Sequence, residues 1–174
     1  MKISIIIPAY NEEKRIGNTL EEYGRFFKDL KNQNLMDFEI IIVINNTKDR
    51  TEELVKIYSK KYKELKYLNF KEGGKGFAIT EGFKDALKRK NDLIGFVDAD
   101  MATPPSAFYD LIKKIWNYDG VIASRGLKKS VVKTSFIRKL TNKGFNFVVR
   151  AILFLPYHDT QCGAKLFKNR TLRN

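Results

Sequence analysis

Residues 93–100 read Leu93-Ile94-Gly95-Phe96-Val97-Asp98-Ala99-Asp100, and this stretch decides the fold that we expect for the chain. Its first five residues form the short apolar run that is typical of a strand buried on both faces of a parallel sheet. Asp98 and Asp100 follow at the carboxyl end of that strand, where open α/β sheets bind ligands. Two such carboxylates can hold Mg²⁺ or Mn²⁺ together with the phosphate oxygens of a nucleotide diphosphate. By itself, an Asp-x-Asp sequence favours a solvated turn, so the assignment depends on the rest of the chain.

The composition is that of one folded domain. The 174 residues are 43% hydrophobic and 13% aromatic, which is enough to bury a sizeable core. The one cysteine, Cys162, excludes an internal disulfide and a cysteine-based zinc site. No apolar run approaches the roughly 18 residues that a membrane-spanning helix needs. We therefore expect a chain that is soluble or lies on a membrane without crossing it.

The net charge of +13 is concentrated in the last part of the chain. Residues 125–174 contain 12 Lys or Arg and a single acidic residue, Asp159, whereas residues 1–124 contain 21 basic and 19 acidic residues. This asymmetry favours an anionic partner for residues 125–174, which could be a phospholipid surface, a nucleic acid or a phosphate-bearing substrate.

Apolar runs alternate with amphipathic segments, which predicts strands alternating with helices. The expected strands are 3–8, 38–44, 67–70, 93–97, 120–124 and 163–167. The expected helices are 12–31, 49–62, 76–90 and one that opens at Pro104-Pro105. The β-α-β-α order predicts an α/β fold with a mostly parallel central sheet and helices on both faces.

Residues 135–155 are predicted to form a helix that is both apolar and basic. Its bulky apolar residues are interrupted by Arg138, Lys139, Lys143 and Arg150. Such a segment fits a helix that lies among lipid headgroups. It fits a core helix with a solvated edge equally well, and the sequence leaves both open.

Five segments, in order along the chain, resemble motifs of the family 2 glycosyltransferases, which have the Rossmann-like GT-A fold. They are 5–13, 43–51, 74–78, 98–103 and 159–167. The Ala-Thr ending of the fourth and the sequence DTQCGAKLF of the fifth are similar to the branch that makes polyprenyl-phosphate sugars. Within that branch, the chain resembles the dolichyl-phosphate β-glucosyltransferases.

The resemblance implies a donor site for a nucleotide sugar, UDP-glucose in the first place. The implied donor-binding residues are Pro8, Ala9, Tyr10, Glu12, Asn45, Lys75 and Asp98, with Asp98 and Asp100 as ligands of Mg²⁺ or Mn²⁺. A lysine and backbone N–H groups at a helix start form a natural anion site, which supports Lys75. Asn45 stands where the family usually has an aspartate that contacts the base. Because an amide can both donate and accept, GDP remains an alternative to UDP.

On the acceptor side, the resemblance implies that Ser124, Arg125 and Arg138 bind the phosphate of a polyprenyl carrier. A guanidinium group suits this role because its planar fork binds phosphate in a bidentate way. Asp159 and Gln161 are the implied catalytic residues, with Asp159 as the base. We expect Asp159 instead to position acceptor groups, because a phosphate monoester loses its second proton near pH ~6 and is largely ionised at neutral pH.

These expectations combine into an inverting hexosyltransferase that is peripherally associated with the cytoplasmic face of a membrane. Residues 1–124 would form the nucleotide-sugar half of a single domain, and residues 125–174 its basic, acceptor-facing and membrane-facing part, incomplete at the C-terminus. One alternative is the same fold with GDP-mannose or another nucleotide sugar. The others are a basic nucleic-acid-binding domain and a non-catalytic membrane-surface module. No nucleic acid is expected as a partner, because that reading leaves Asp98 and Asp100 unexplained.

Overall fold

The strands of the chain form one sheet in the computed structural model, which describes residues 1–124 and 162–173. Within these residues the sheet has six strands: β1 (Lys2–Ala9), β2 (Asp37–Asn45), β3 (Leu65–Phe70), β4 (Leu93–Val97), β5 (Gly120–Ile122) and β6 (Ala164–Lys168). Their order is β3-β2-β1-β4-β6-β5. The β1–β2, β1–β4 and β2–β3 pairs are parallel, and β6 is antiparallel to β4. The predicted mostly parallel sheet is confirmed.

Helices cover both faces of this sheet, as predicted. They are α1 (Ile16–Asn32), α2 (Thr51–Lys61), α3 (Lys75–Leu87) and α4 (Pro105–Lys114), with 3₁₀-helices at Ile115–Asn117 and Asn169–Leu172. On one face, the ring of Phe27 in α1 contacts Phe38 of β2 and Phe108 of α4. On the other face, α3 packs against Ile41 and Val43 of β2. Successive strand residues point to opposite faces of the sheet, so a continuous aliphatic run packs against the helices on both faces.

Most predicted boundaries differ from the structure by one to three residues, and the start of the first helix differs by four. The first helix begins at Ile16 rather than at residue 12, because the N–H groups of residues 11–13 bond to side chains of the loop after β2 and of the first residue of α2. The fifth strand ends at Ile122 rather than at residue 124. The predicted helix 135–155 lies outside the described residues.

Contacts divide the chain into two units. Met1–Val121 and Gly163–Asn174 form the first, and Ile122–Cys162 form the second. The sheet segment β6, which the sequence analysis grouped with the acceptor part, thus belongs with the first unit. Among the described residues, no helix has the length and apolar character that crossing a bilayer requires.

Because β6 runs antiparallel to β4, it begins at the edge of the sheet where β1, β2 and β4 end. Val97 at the end of β4 pairs with Ala164 at the start of β6. Gly163 therefore lies beside Asp98, and its carbonyl accepts a hydrogen bond from the Asp98 N–H at 3.1 Å.

Candidate active site

A cleft of about 520 Å³ opens at the carboxyl ends of β1, β2 and β4. Its lining includes most of the expected donor and metal residues: Pro8, Tyr10, Glu12, Asn45, Lys75, Asp98 and Asp100. Ala9 is the exception, since it does not line the cleft and its side chain is fully buried. The structure thus brings residues from four loops to one place, and their binding roles stay predictions.

Asp98 and Lys75 are in direct contact at this cleft. The Oδ1 atom of Asp98 lies 2.5 Å from Nζ of Lys75. The contact is an ion pair rather than a well-directed hydrogen bond, because Oδ1 is buried without a hydrogen-bond partner of good geometry in the described part of the chain. Lys75 therefore already gives the Asp98 carboxylate a cationic partner at the cleft.

Asp100 is the more exposed of the two acidic residues. Its Oδ1 accepts a hydrogen bond from the Ala102 N–H at 3.0 Å, which fixes the turn after β4. In the described ranges, no cluster of three or more His, Cys, Asp or Glu side chains could hold a metal ion. Two carboxylates nevertheless fit Mg²⁺ or Mn²⁺, since such ions take their remaining ligands from phosphates and water.

Left-handed backbone conformations concentrate in the loops around the cleft. Asn11, Asn46 and Met101 have φ values of 51°, 52° and 60°, and Gly74 has a φ of 117°. Asparagine tolerates this region better than most residues, whereas for methionine it is uncommon. Strained backbone of this kind clusters at binding sites, where the surrounding structure enforces it.

Asn45 lies at the end of β2 and is only 2% exposed. In the amide orientation that satisfies both neighbours, Nδ2 donates to the Ala9 carbonyl at 3.0 Å and Oδ1 accepts from the Gly74 N–H at 3.1 Å. The side chain therefore joins β1 to the glycine turn before Lys75. An ionised aspartate could not donate to Ala9, which gives the asparagine a structural reason besides any contact with a base.

A network of hydrogen bonds joins the loop after β1 to the loop after β2. The Asp49 carboxylate accepts from the Glu13 N–H at 3.0 Å and from the Thr51 hydroxyl at 2.5 Å. The same hydroxyl accepts from the Glu12 N–H at 2.7 Å. Burial opposes ionisation of Asp49, yet these hydrogen bonds outweigh it and hold the pKa of the carboxyl below its usual range. This role of Asp49 was not predicted, although an acid and a threonine at a helix start are a recognisable signal.

Helix α1 fixes the loop that carries the two aspartates. The buried hydroxyl of Thr19 donates to the Ala99 carbonyl at 2.6 Å, and the Tyr23 hydroxyl donates to the Thr103 carbonyl at 2.7 Å. Burial raises the pKa of the Tyr23 phenol, so it remains a donor at any ordinary pH. The apolar spacing of this helix predicts only that Tyr23 lies on its buried face. Two hydroxyl groups on that face are the sequence signal for these hydrogen bonds.

Glu12 and Tyr10 flank the mouth of the cleft. The Glu12 carboxylate is held by the Arg15 guanidinium through two contacts of 2.7 and 2.9 Å. These two contacts set the orientation of the Glu12 carboxylate, whose oxygens keep lone pairs that can accept further hydrogen bonds. Tyr10 is 52% exposed, so its ring is available to a ligand.

The expected acceptor residues are mostly not described. Ser124 follows β5 and is half-buried. Arg125, Arg138, Asp159 and Gln161 lie outside the described residues, so their roles stay predictions.

Comparison with curated proteins finds similar sequences over nearly the whole chain. A dolichyl-phosphate beta-glucosyltransferase of Trichomonas vaginalis is 38% identical over 175 residues, which are 95% of this chain and 53% of that protein. A dolichol-phosphate mannosyltransferase of Pyrococcus furiosus is 37% identical over 155 residues, which are 88% of this chain and 42% of that protein. The chain thus spans about half the length of these relatives.

Comparison with solved structures confirms the fold. A glucosyl-3-phosphoglycerate synthase of Mycobacterium tuberculosis, in complex with Mn²⁺, UDP-glucose and phosphoglyceric acid, matches with a TM-score of 0.65 and 18% identity. The match covers 98% of this chain and 57% of the synthase chain. At this identity, the likeness supports the GT-A fold alone.

The sequence model of the glycosyl transferase family 2 matches residues 4–174, which is nearly the full length. With the sheet, the cleft at its carboxyl edge and the relatives above, the conclusion is direct: the chain belongs to glycosyltransferase family 2.

Proposed function

We propose that the chain belongs to the catalytic domain of an inverting glycosyltransferase that moves a hexose onto a polyprenyl phosphate, with UDP-glucose as donor and dolichyl phosphate as acceptor. The observation that carries the proposal is the meeting of Lys75, Asp98 and Asp100 at one cleft. A cation and two carboxylates at the edge of a parallel sheet suit a diphosphate and its counter-ion. The name of the glucosyltransferase relative supports the sugar and the acceptor.

Each donor-site residue has a distinct task in this proposal. Asp98 and Asp100 would hold Mg²⁺ or Mn²⁺, which when bound neutralises the charge that develops on the departing diphosphate. Lys75, at the helix start beside Asp98, contacts the diphosphate as a second positive charge. Glu12 accepts hydrogen bonds from the ribose hydroxyls, and Tyr10 lies against the base.

The acceptor residues act from the other side of the sugar. Ser124, Arg125 and Arg138 bind the carrier phosphate, and one phosphate oxygen attacks the anomeric carbon opposite the leaving diphosphate. Asp159 and Gln161 position the acceptor. No base is required, because the phosphate monoester is largely dianionic at neutral pH. The basic residues of 125–174 would hold this part at the cytoplasmic surface of an anionic membrane, at roughly 1 kcal/mol for each Lys or Arg near the lipid.

A second candidate keeps the site and changes the donor to GDP-mannose. One observation favours it: the relative from Pyrococcus furiosus is named a dolichol-phosphate mannosyltransferase. Both candidates predict the same metal dependence.

A thermal-shift panel tests both candidates on the 174-residue chain. UDP-glucose, UDP-GlcNAc and GDP-mannose are each added with Mn²⁺ and with EDTA. A ligand at about 100 times its Kd adds about 2.7 kcal/mol to stability, which is a rise in Tm of roughly 5–11 °C for a domain of this size. We expect that rise for UDP-glucose with Mn²⁺ and a much smaller one with EDTA.

Two variants sharpen the result. Asp98→Asn should strongly reduce the metal-dependent part of the shift, whereas Asp110→Asn, on an exposed ion pair of α4, should keep it. A larger shift with GDP-mannose would favour the second candidate. No metal-dependent shift with any of the three donors would refute the proposed donor site.

A further inference from the structure

Gly163 lies directly against the carboxylate of Asp98. A Cβ atom built on Gly163 would stand 2.0 Å from Oδ2, 2.5 Å from Cγ and 3.1 Å from Oδ1 of Asp98. The whole carboxyl group therefore occupies the space that any other residue at position 163 would fill. Gly163 is also absent from the residues with positive φ, so its backbone does not itself require glycine.

The backbone on both sides of this contact is fixed. The Asp98 N–H donates to the Gly163 carbonyl at 3.1 Å, and the pairing of β4 with β6 begins at the next residues, Val97 and Ala164. The two strands cannot separate here without breaking the pairing of β4, whose five residues are all buried. A side chain at position 163 would be accommodated only by movement of the Asp98 side chain.

Lys75 limits that movement from the other side. Its Nζ lies 2.5 Å from Asp98 Oδ1, so the carboxylate is held between an ammonium group and the Cα of Gly163. The Asp98 side chain is 27% exposed, and its exposed part faces the cleft.

We propose that Gly163 is a positioning residue for Asp98, and through it for the metal and nucleotide diphosphate of the donor site. The proposal rests on the proposed function in taking Asp98 as a donor-site carboxylate. It gives part of the segment 159–167 a role on the donor side, whereas the resemblance placed that segment with the acceptor. Residues that orient a metal ligand typically contribute about 10–100-fold to metal affinity.

The test replaces Gly163 with alanine in the full chain. Binding is measured by the loss of the free Mn²⁺ signal in electron paramagnetic resonance on addition of the protein and UDP. We expect Gly163→Ala to weaken this binding by about 10–100-fold while the far-ultraviolet circular dichroism stays that of the wild type. The matched control is Gly120→Ala, whose Cβ would clash with the Phe167 ring at 2.7 Å, away from the cleft. It should bind Mn²⁺ and UDP as the wild type does.

A double-mutant cycle separates positioning from general damage. If Gly163 acts through Asp98, the double variant Gly163→Ala/Asp98→Asn should bind no more weakly than Asp98→Asn alone. If Gly163→Ala unfolds, Asp98→Ala in the same chain should restore its Tm, because it removes the atoms that clash. Additive binding losses, or no recovery of Tm, would overturn the proposal.

The same variants distinguish this proposal from the proposed function. If the wild type does not bind Mn²⁺ with UDP, the proposed function fails, and the crystal structure of Gly163→Ala then decides the positioning role. A carboxylate displaced from Lys75 would support the role, and an unmoved one would refute it. If the wild type binds and Gly163→Ala binds equally well, only the role of Gly163 is refuted.

Discussion

Glu39 in β2 offers a sharp test of what holds the sheet together. Its side chain is 3% exposed. Oε1 accepts from the Ser4 hydroxyl at 2.8 Å and from Asn91 Nδ2 at 2.7 Å. Oε2 lies 3.0 Å from Lys66 Nζ and 3.5 Å from an Arg89 nitrogen. Burial opposes ionisation of Glu39, but the hydrogen bonds from Ser4 and Lys66 and the charges of Arg89 and Lys66 outweigh it and hold its pKa below the usual value.

Glu39→Gln keeps the size of this side chain and removes its charge. All the polar neighbours of the Glu39 carboxylate donate hydrogen bonds to it, whereas the glutamine amide has only one oxygen and one NH₂ group. Whichever end carries the NH₂ group then faces a donor, so at least one buried hydrogen bond is lost. Removing one member of a buried ion pair costs about 3–5 kcal/mol. Lys66 is 46% and Arg89 29% exposed, so both regain water. We therefore expect a loss of about 2–3 kcal/mol, which is a fall in Tm of roughly 4–12 °C for a domain of this size.

Thermal melts followed by circular dichroism between pH 7 and pH 3.5 measure this effect. Because the pKa of folded Glu39 lies below its ordinary value of 4.5, its stabilisation is complete above that value and is lost as the pH falls through the folded pKa. The difference in Tm between wild type and Glu39→Gln should therefore narrow at the acid end. Glu22→Gln, which removes an exposed ion pair with Arg25, should change Tm by less than about 2 °C. An equally small change for Glu39→Gln at pH 7, or a difference that does not narrow in acid, would refute this reasoning.

Three further outcomes follow from the structure. Tyr23→Phe leaves the Thr103 carbonyl without its 2.7 Å donor and should cost about 1–3 kcal/mol in urea unfolding, and an unchanged urea midpoint would contradict it. Gly95→Ala places a Cβ 2.6 Å from the Lys165 carbonyl oxygen and should cost about 1–3 kcal/mol by overpacking, which a Tm equal to that of the wild type would exclude. If residues 125–174 face an anionic membrane, the chain should sediment with phosphatidylserine vesicles at low salt and be released at high salt. Binding to an oligonucleotide but not to these vesicles would favour the nucleic-acid alternative instead.

Much of the donor-side arrangement could be predicted from the sequence, because it depends on local pattern. Strands buried on both faces appear as continuous aliphatic runs, so β1, β2 and β4 could be placed within one or two residues. The carboxyl ends of parallel strands meet at one edge, and that rule alone brings Asp98, Asn45 and the turn after Pro8 together. The side chains that support the cleft could not be predicted this way. Thr19 and Tyr23 lie on a helix whose pattern shows only an apolar face.

The sequence by itself determined which segments are strands and which ends of them carry charge, because side-chain periodicity and burial are local properties of the chain. Only the tertiary structure decided which distant residues touch. The insertion of β6 between β4 and β5 brings Gly163 against Asp98, 65 positions earlier in the chain. The register of β1 and β2 places Ser4 beside Glu39. Such contacts depend on strand order and register, which alternating apolar and amphipathic segments do not specify. The paired aspartates could therefore be found from the sequence, and the glycine that holds one of them in place could not.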